Sequence, residues 1–156
     1  MNRWMLGLVA IIILYGSASM ANAIEWQRYI VQQSGAAVDL PSSLFSKDVG
    51  GSKPGSGRQL TTADGRANLT IQSFPNGSNL SPAAFLAKQH PPSGIIYRKV
   101  TSRFFAVSSI RNDKIWYNRC NVSGRFMNCV LINYPVEEKR QWDGIVTRIS
   151  NTLSTE

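Results

Sequence analysis

Three features of this chain predict an α+β fold: an antiparallel β-sheet of about six to eight strands with helices packed on it. Short runs of β-branched and aromatic residues recur in pairs around turn dipeptides. Only two stretches carry helix signals, and the last of them is strongly amphipathic. The resulting order, β-β-β-β-α-β-β-β-β-α, describes an antiparallel sheet covered by helices rather than a doubly wound one.

The first residues read as an export signal. Arg3 is a short positive region, Met5 to Tyr15 is an apolar run of eleven residues, and Ala21-Asn22-Ala23 follows a small, polar stretch. Cleavage before Ile24 is expected, with an uncleaved membrane anchor as the alternative. A spanning helix needs about 20 apolar residues, so no transmembrane span is expected after cleavage. Residues 1–23 are thus a signal peptide and residues 24–156 a single domain, large enough for its own core. The protein is expected in the periplasm or outside the cell. An oxidising compartment also suits the only two cysteines, Cys120 and Cys129, which in a cytosolic chain would read as free thiols.

In chain order, residues 26–32 and 36–40 read as two strands turned at Ser34-Gly35 and ended by Pro41. Residues 46–58 hold five glycines or prolines and almost nothing apolar, so a mobile loop is expected. Lys53 gives it a passing likeness to a phosphate-cradling loop. That motif requires Lys-Ser/Thr running into a helix, whereas Lys53 is followed by Pro54. Strands over 58–62 and 67–74 flank the turn dipeptide Asp64-Gly65, with Leu69, Ile71 and Ser73 on one face. Ser81-Pro82 caps and starts a short helix that Pro91-Pro92 forbid from continuing. Strands over 95–100 and 104–110 lead through Asn112-Asp113 into a further hairpin. The last helix is expected over about 136–153, with Trp142, Ile145, Val146, Ile149 and Leu153 forming its apolar stripe. Glu137 and Glu138 are expected to cap its start, and Gly144 to let it approach the sheet closely.

The hairpin from Lys114 to Pro135 organises the chain. A two-residue II′ turn favours glycine at its first position, and Gly124-Arg125 supplies it. Ser123 then faces Phe126, Val122 faces Met127, Asn121 faces Asn128, and Cys120 faces Cys129. Counting outward from the turn puts the cysteines at a non-hydrogen-bonded pair, with Cα atoms about 4.5 Å apart. This is at the short end of disulfide geometry, and a Cys120–Cys129 bridge is predicted.

The segments Val38-Asp39-Leu40-Pro41, residues 64–71 (DGRANLTI), 114–117 (KIWY), 131–135 (LINYP) and 142–149 (WDGIVTRI) resemble the layout of the PsbP/DcrB-like group. In that group an antiparallel sheet is sandwiched by helices, and a strand ending in Tyr-Pro feeds the last one. The chain is also similar to small uncharacterised exported proteins of alphaproteobacteria. The resemblance covers most of residues 24–156. It implies a PsbP-like sandwich and an exported or lumenal adaptor that binds another protein or complex, with no catalytic residue and no cofactor.

Charge is distributed unevenly. Without residues 1–23 the chain has sixteen basic and nine acidic residues, a net charge of +7. Between Lys88 and Asn128 eight basic residues face Asp113 alone, while the rest is balanced at eight and eight. Arg98, Lys99, Arg103, Arg111, Lys114, Arg119 and Arg125 lie on neighbouring strands among Tyr97, Phe104, Trp116 and Tyr117. Nucleic acid would suit that composition, but export argues against it as the physiological partner. An acidic protein, an anionic glycan or a lipid head group would use the same charges, and a merely solvated basic sheet face is the structural alternative.

Catalytic and metal-binding readings are weakly supported. His90 is the only histidine and sits in a Pro-rich loop with no nucleophile or carboxylate motif beside it. No carboxylates fall in calcium-loop spacing, so no metal site is expected. The sequence therefore favours a non-catalytic envelope binding module using the basic strands. The alternative is a periplasmic enzyme of unknown reaction, with a pocket near His90 or the 46–58 loop.

Overall fold

The computed structural model describes residues 23–51, 57–91 and 93–156. The expected export signal, residues 1–23, lies outside them except for Ala23, and so do residues 52–56 of the glycine-rich loop. Ten strands run β1 (Trp26–Val31), β2 (Ala36–Pro41), β3 (Lys47–Gly50), β4 (Gly57–Thr61), β5 (Asn68–Pro75), β6 (Ile95–Val100), β7 (Phe104–Arg111), β8 (Lys114–Ser123), β9 (Phe126–Pro135) and β10 (Ser154–Thr155). Helix α1 (Pro82–Lys88) separates β5 from β6, and α2 (Lys139–Thr152) separates β9 from β10. Seven strands form one antiparallel sheet in the order β3-β4-β5-β9-β8-β7-β6, and β1, β2 and β10 form a second. The predicted α+β sandwich is therefore present, with the N-terminal hairpin in a second, smaller sheet that shares a core with α2.

Local chemistry explains each turn. Gly124 has φ +53°, as a II′ turn demands, and β8 pairs with β9 from Lys114↔Pro135 to Ser123↔Phe126. Cys120 faces Cys129 and is bonded to it, with Cα atoms 4.0 Å apart. Asn112 and Asp113 both take positive φ, +49° and +57°, the I′ geometry that asparagine and aspartate tolerate best after glycine. In the β4–β5 turn, Asp64 accepts from the Thr62 hydroxyl and the Arg66 backbone N–H. Those two bonds hold its carboxyl below the usual range, the hydroxyl first. Ser81 caps α1 by accepting from Ala84 N–H, with Pro82 at the first helical position.

The alternation of the sheet divides the core in two. On one face Leu69, Ile71, Ile115, Val130, Ile132 and Tyr134 meet the stripe of α2, namely Trp142, Val146, Ile149 and Leu153, and the inner residues of β2. On the other face Phe85 and Leu86 of α1 cover Phe105, Val107, Met127 and the disulfide. Each fully buried aliphatic or aromatic side chain contributes about 1.5–3 kcal/mol. Only Ile145 of the predicted stripe is half-buried rather than buried. Ser73 does share its face with Leu69 and Ile71; it is buried and bonds to Asn128 and Ser34.

Five expectations are corrected. Lys47–Gly50, read as loop, is a strand, because its backbone pairs with β4 across a bulge despite a fully exposed surface. Val136–Glu138 form a 3₁₀ turn and α2 begins at Lys139, since the chain must bend after Pro135. Glu137 and Glu138 make no capping bond to the helix backbone; both instead pair with Arg66, at 2.7 and 2.5 Å, and Glu138 also accepts from the Trp142 indole. Gly144 does not bring α2 towards the sheet, since a Cβ there would meet nothing within 4 Å. The chain also does not end with the helix: β10 adds to β2, and Glu156 N–H donates to Gly35 O.

Two stability measurements follow from this packing. Gly144→Ala is expected to stabilise the domain by about 0.5–1 kcal/mol, because the helix gains propensity without a clash. Calorimetry should show Tm rising by about 2–4 °C. Replacing both Cys120 and Cys129 by alanine is expected to cost about 2–4 kcal/mol, read as a lower denaturation midpoint with an m-value equal to or slightly above the parent's, because the uncrosslinked chain unfolds to a more open ensemble.

Candidate functional site

Alternation along the strands separates the basic residues that the sequence places together. Lys99 and Arg119 share the α2 face with Tyr97 and Phe104, since Lys99 lies across from Ala106, Tyr97 from Ser108 and Arg119 from Ala106 and Val130. Arg98 and Arg111 lie on the α1 face, with Arg111 stacked 4.5 Å from the centre of the Trp116 ring. Arg103 and Arg125 occupy the β6–β7 and β8–β9 turns at one end of the sheet. Lys114 sits at the other end, donating to Arg66 O at 2.9 Å. The seven residues thus lie on both faces and at both ends of the β6–β9 half of the sheet and do not form a single flat face.

Ion pairing sharpens this asymmetry. Arg28 pairs with Asp39 and Glu156, Arg58 with Asp48, Arg66 with Glu137 and Glu138, and Lys139 with Asp143. Six of the nine carboxylates are thereby committed to cations outside the Lys88–Arg125 segment. Among the described residues, none of the eight basic side chains within that segment has an ion-pair partner. Their field is not cancelled locally, and it extends into solvent over about a Debye length.

A cleft lies within this field. Helix α2 is about 10 Å wide and the strands are about 4.8 Å apart, so one helix covers only part of a seven-stranded sheet. The sheet of β1, β2 and β10 packs beside the helix, and β6 and β7 project past it on the other side. The space between, about 510 Å³, has the small Ala106 and Ser108 of β7 in its floor. Tyr97, Lys99, Phe104, Tyr117 and Arg119 surround them, and Lys139, Asp143, Thr147, Ser150 and Asn151 of α2 form the wall. A second cavity of about 350 Å³ shares Phe104 and Arg119 and adds Arg103, Asn121, Ser154 and Thr155. The two make a trough that brings Lys99, Arg103 and Arg119 together.

Arg119 is the positioned cation of the trough. Its guanidinium lies 4.2 Å from the centre of the Phe104 ring and donates to Ser150 Oγ at 3.3 Å, Asn151 Oδ1 at 3.4 Å and Asn121 Oδ1 at 3.0 Å. All these acceptors are neutral, so its positive charge is held in place without being neutralised. Lys99 Nζ lies 5.7 Å from the same ring. Tyr117 shares a 2.5 Å hydrogen bond with Ser150, and burial raises its pKa above the ordinary phenol value. Burial pushes Tyr134 up to about 12, so both phenols stay neutral at physiological pH.

The trough can hold an anion, but it has no evident acid–base pair. Its one carboxylate, Asp143, is tied to Lys139. His90 is exposed, with φ +52°, and lines none of these cavities; its neighbours Gln89 and Pro91 border a small one of about 110 Å³ on the α1 face. Among the described residues no three His, Cys, Asp or Glu side chains cluster as metal ligands, and no helix is long and apolar enough to cross a membrane. Sequence reasoning missed Ser150, Asn151 and Thr147. They flank the apolar stripe of α2 and have no signature until the sheet is laid beneath them.

No protein-family profile and no curated protein sequence matches this chain. Solved structures do. The cyanobacterial PsbP (CyanoP) of Synechocystis sp. PCC 6803 superposes with a TM-score of 0.64 at 9% identity, over 91% of this chain and 99% of that one. The Ran-binding protein Mog1p of Saccharomyces cerevisiae superposes at 0.54 and 6% identity, over 85% and 96%. The fold is therefore PsbP-like, as the resemblance implied, and at these identities the likeness establishes the fold alone.

The buried tyrosines give a pH prediction. The unfolded chain ionises tyrosine near 10, whereas folded Tyr134 holds its proton to about 12, so stability is intact below pH 10 and falls as pH rises from 10 towards 12. Absorbance titration at 295 nm should show a late phase that is lost in Tyr134→Phe.

Proposed function

We propose that this protein is an exported, non-catalytic binding module of the bacterial envelope. It engages an anionic partner through the trough of Lys99, Arg103 and Arg119. Arg98 and Arg111 on the α1 face, Lys114 at the far end of the sheet and Arg125 in the turn next to Arg103's end contribute long-range attraction only. The observation that carries this reading is the partition of charge: the ion pairs hold Arg28, Arg58, Arg66 and Lys139, and among the described residues none reaches the eight cations between Lys88 and Arg125. A basic surface that served only solubility would have no reason to hold one arginine on an aromatic face with three neutral acceptors. The same fold in a Ran-binding protein supports a protein-binding role without naming a partner.

The test is a pull-down from envelope extract on oxidised residues 24–156, eluted with a salt gradient and read for protein, glycan and lipid. One discrete species leaving at moderate salt is expected. The triple variant K99E/R103E/R119E should weaken its binding by at least about tenfold, more than Arg125→Glu alone, because three converging charges are reversed. Salt-independent retention, or retention no better than on a charge-matched control, would overturn the proposal.

A further inference from the structure

The seven-stranded sheet ends at β6, and nothing among the described residues covers its outer side. Its residues Ile95–Lys99 are all exposed, Ile96 at 52% and Tyr97 at 46%. Edge strands are normally kept short, charged or covered, because their free N–H and C=O groups form a template for another strand. The opposite edge follows that rule: β3 has four residues and carries the Asp48–Arg58 ion pair. β6 also carries two cations and a bulge, yet it adds exposed Ile95, Ile96 and Tyr97 to a corner that also exposes Ile110 and Trp116.

The hydrogen-bond phase shows which groups are free. Thr101 N–H donates to Phe104 O at the β6–β7 turn, so bonded pairs recur at Lys99↔Ala106 and Tyr97↔Ser108. The intervening Arg98 and Val100 then direct their backbone N–H and C=O groups away from β7. A bulge interrupts the register between Ile95 and Tyr97, leaving Tyr97–Val100 as the regular edge. Apolar side chains stand at one end of it and Arg98, Lys99 and Arg103 at the other.

From this we infer that β6 is a docking edge for an extended acidic segment of a partner protein, which adds as an eighth strand. Backbone bonds to Arg98 and Val100 would hold it. Its apolar side chains would meet Ile96 and Tyr97, and its carboxylates would meet Arg98, Lys99 and Arg103. A second copy of this chain is a poor occupant, since β6 against β6 would set two cationic strands side by side without a carboxylate between them. The inference rests on the anionic-partner reading and narrows it to an acidic protein segment.

Two synthetic peptides test it, one with glutamates in its first half and valines in its second, and one of the same sequence N-methylated at every residue so that neither of its edges can donate to a strand. Binding to oxidised residues 24–156 is read by calorimetry and by amide hydrogen exchange. The parent peptide is expected to bind, to slow exchange at Arg98 and Val100, and to bind about tenfold or more tighter than its methylated form, the effect of losing two backbone hydrogen bonds. Equal binding of both peptides without protection of β6 would overturn strand addition and leave the anionic-partner reading standing. Failure of both peptides while dextran sulfate still binds would do the same. Failure of all three would overturn both.

Discussion

The register of the β8–β9 hairpin is the constraint on which the other layers rest. One glycine in the turn sets which residue faces which over ten positions, and a slip of one would move every side chain to the opposite face. The Cys120–Cys129 bond locks that choice inside the α1-side core. With the phase set, Ile115, Val130, Ile132 and Tyr134 turn to α2, and Met127 and the disulfide turn to α1. Both cores therefore depend on one turn near the middle of the sheet.

A polar seam joins the two sheets at the other side of that hairpin. Ser34 meets Ser73, Ser73 donates to Asn128, Asn128 donates to Thr155, and Thr155 reaches Ser123. Buried hydroxyls and amides are costly unless satisfied, and here each partner comes from a different strand or turn. Thr155 can take part only because β10 pairs with β2. Arg28 reinforces the same end, gripping Asp39, Glu156 and the Thr152 carbonyl. The last helix is thus anchored by its apolar stripe and by the chain that follows it.

The trough arises from a mismatch of widths. One helix cannot cover a seven-stranded sheet, and the second sheet lies on only one side of it. The uncovered strands carry Lys99 and Arg119, which no carboxylate pairs, so geometry and charge coincide at β6–β8. Arg119 shows what the coincidence does: a half-buried guanidinium kept charged and oriented by neutral acceptors and an aromatic ring.

Much of this was legible in the residues because it is local. Turn dipeptides, a Ser-Pro helix start, period-two strands and a stripe at spacings of three and four each act over a few residues, and the cysteine pairing followed from counting away from one turn. What required the tertiary structure was anything that depends on which elements meet. Lys47–Gly50 becomes a strand only because β4 offers its edge, and Ser154–Thr155 only because β2 does. Arg66, far away in sequence, claims Glu137 and Glu138 before they can cap a helix, and Gly144 faces solvent because the stripe of α2 lies elsewhere. The excess of positive charge could be counted along the chain, but its division between two faces, and the convergence of Lys99, Arg103 and Arg119, followed from strand alternation and ion pairing across long separations.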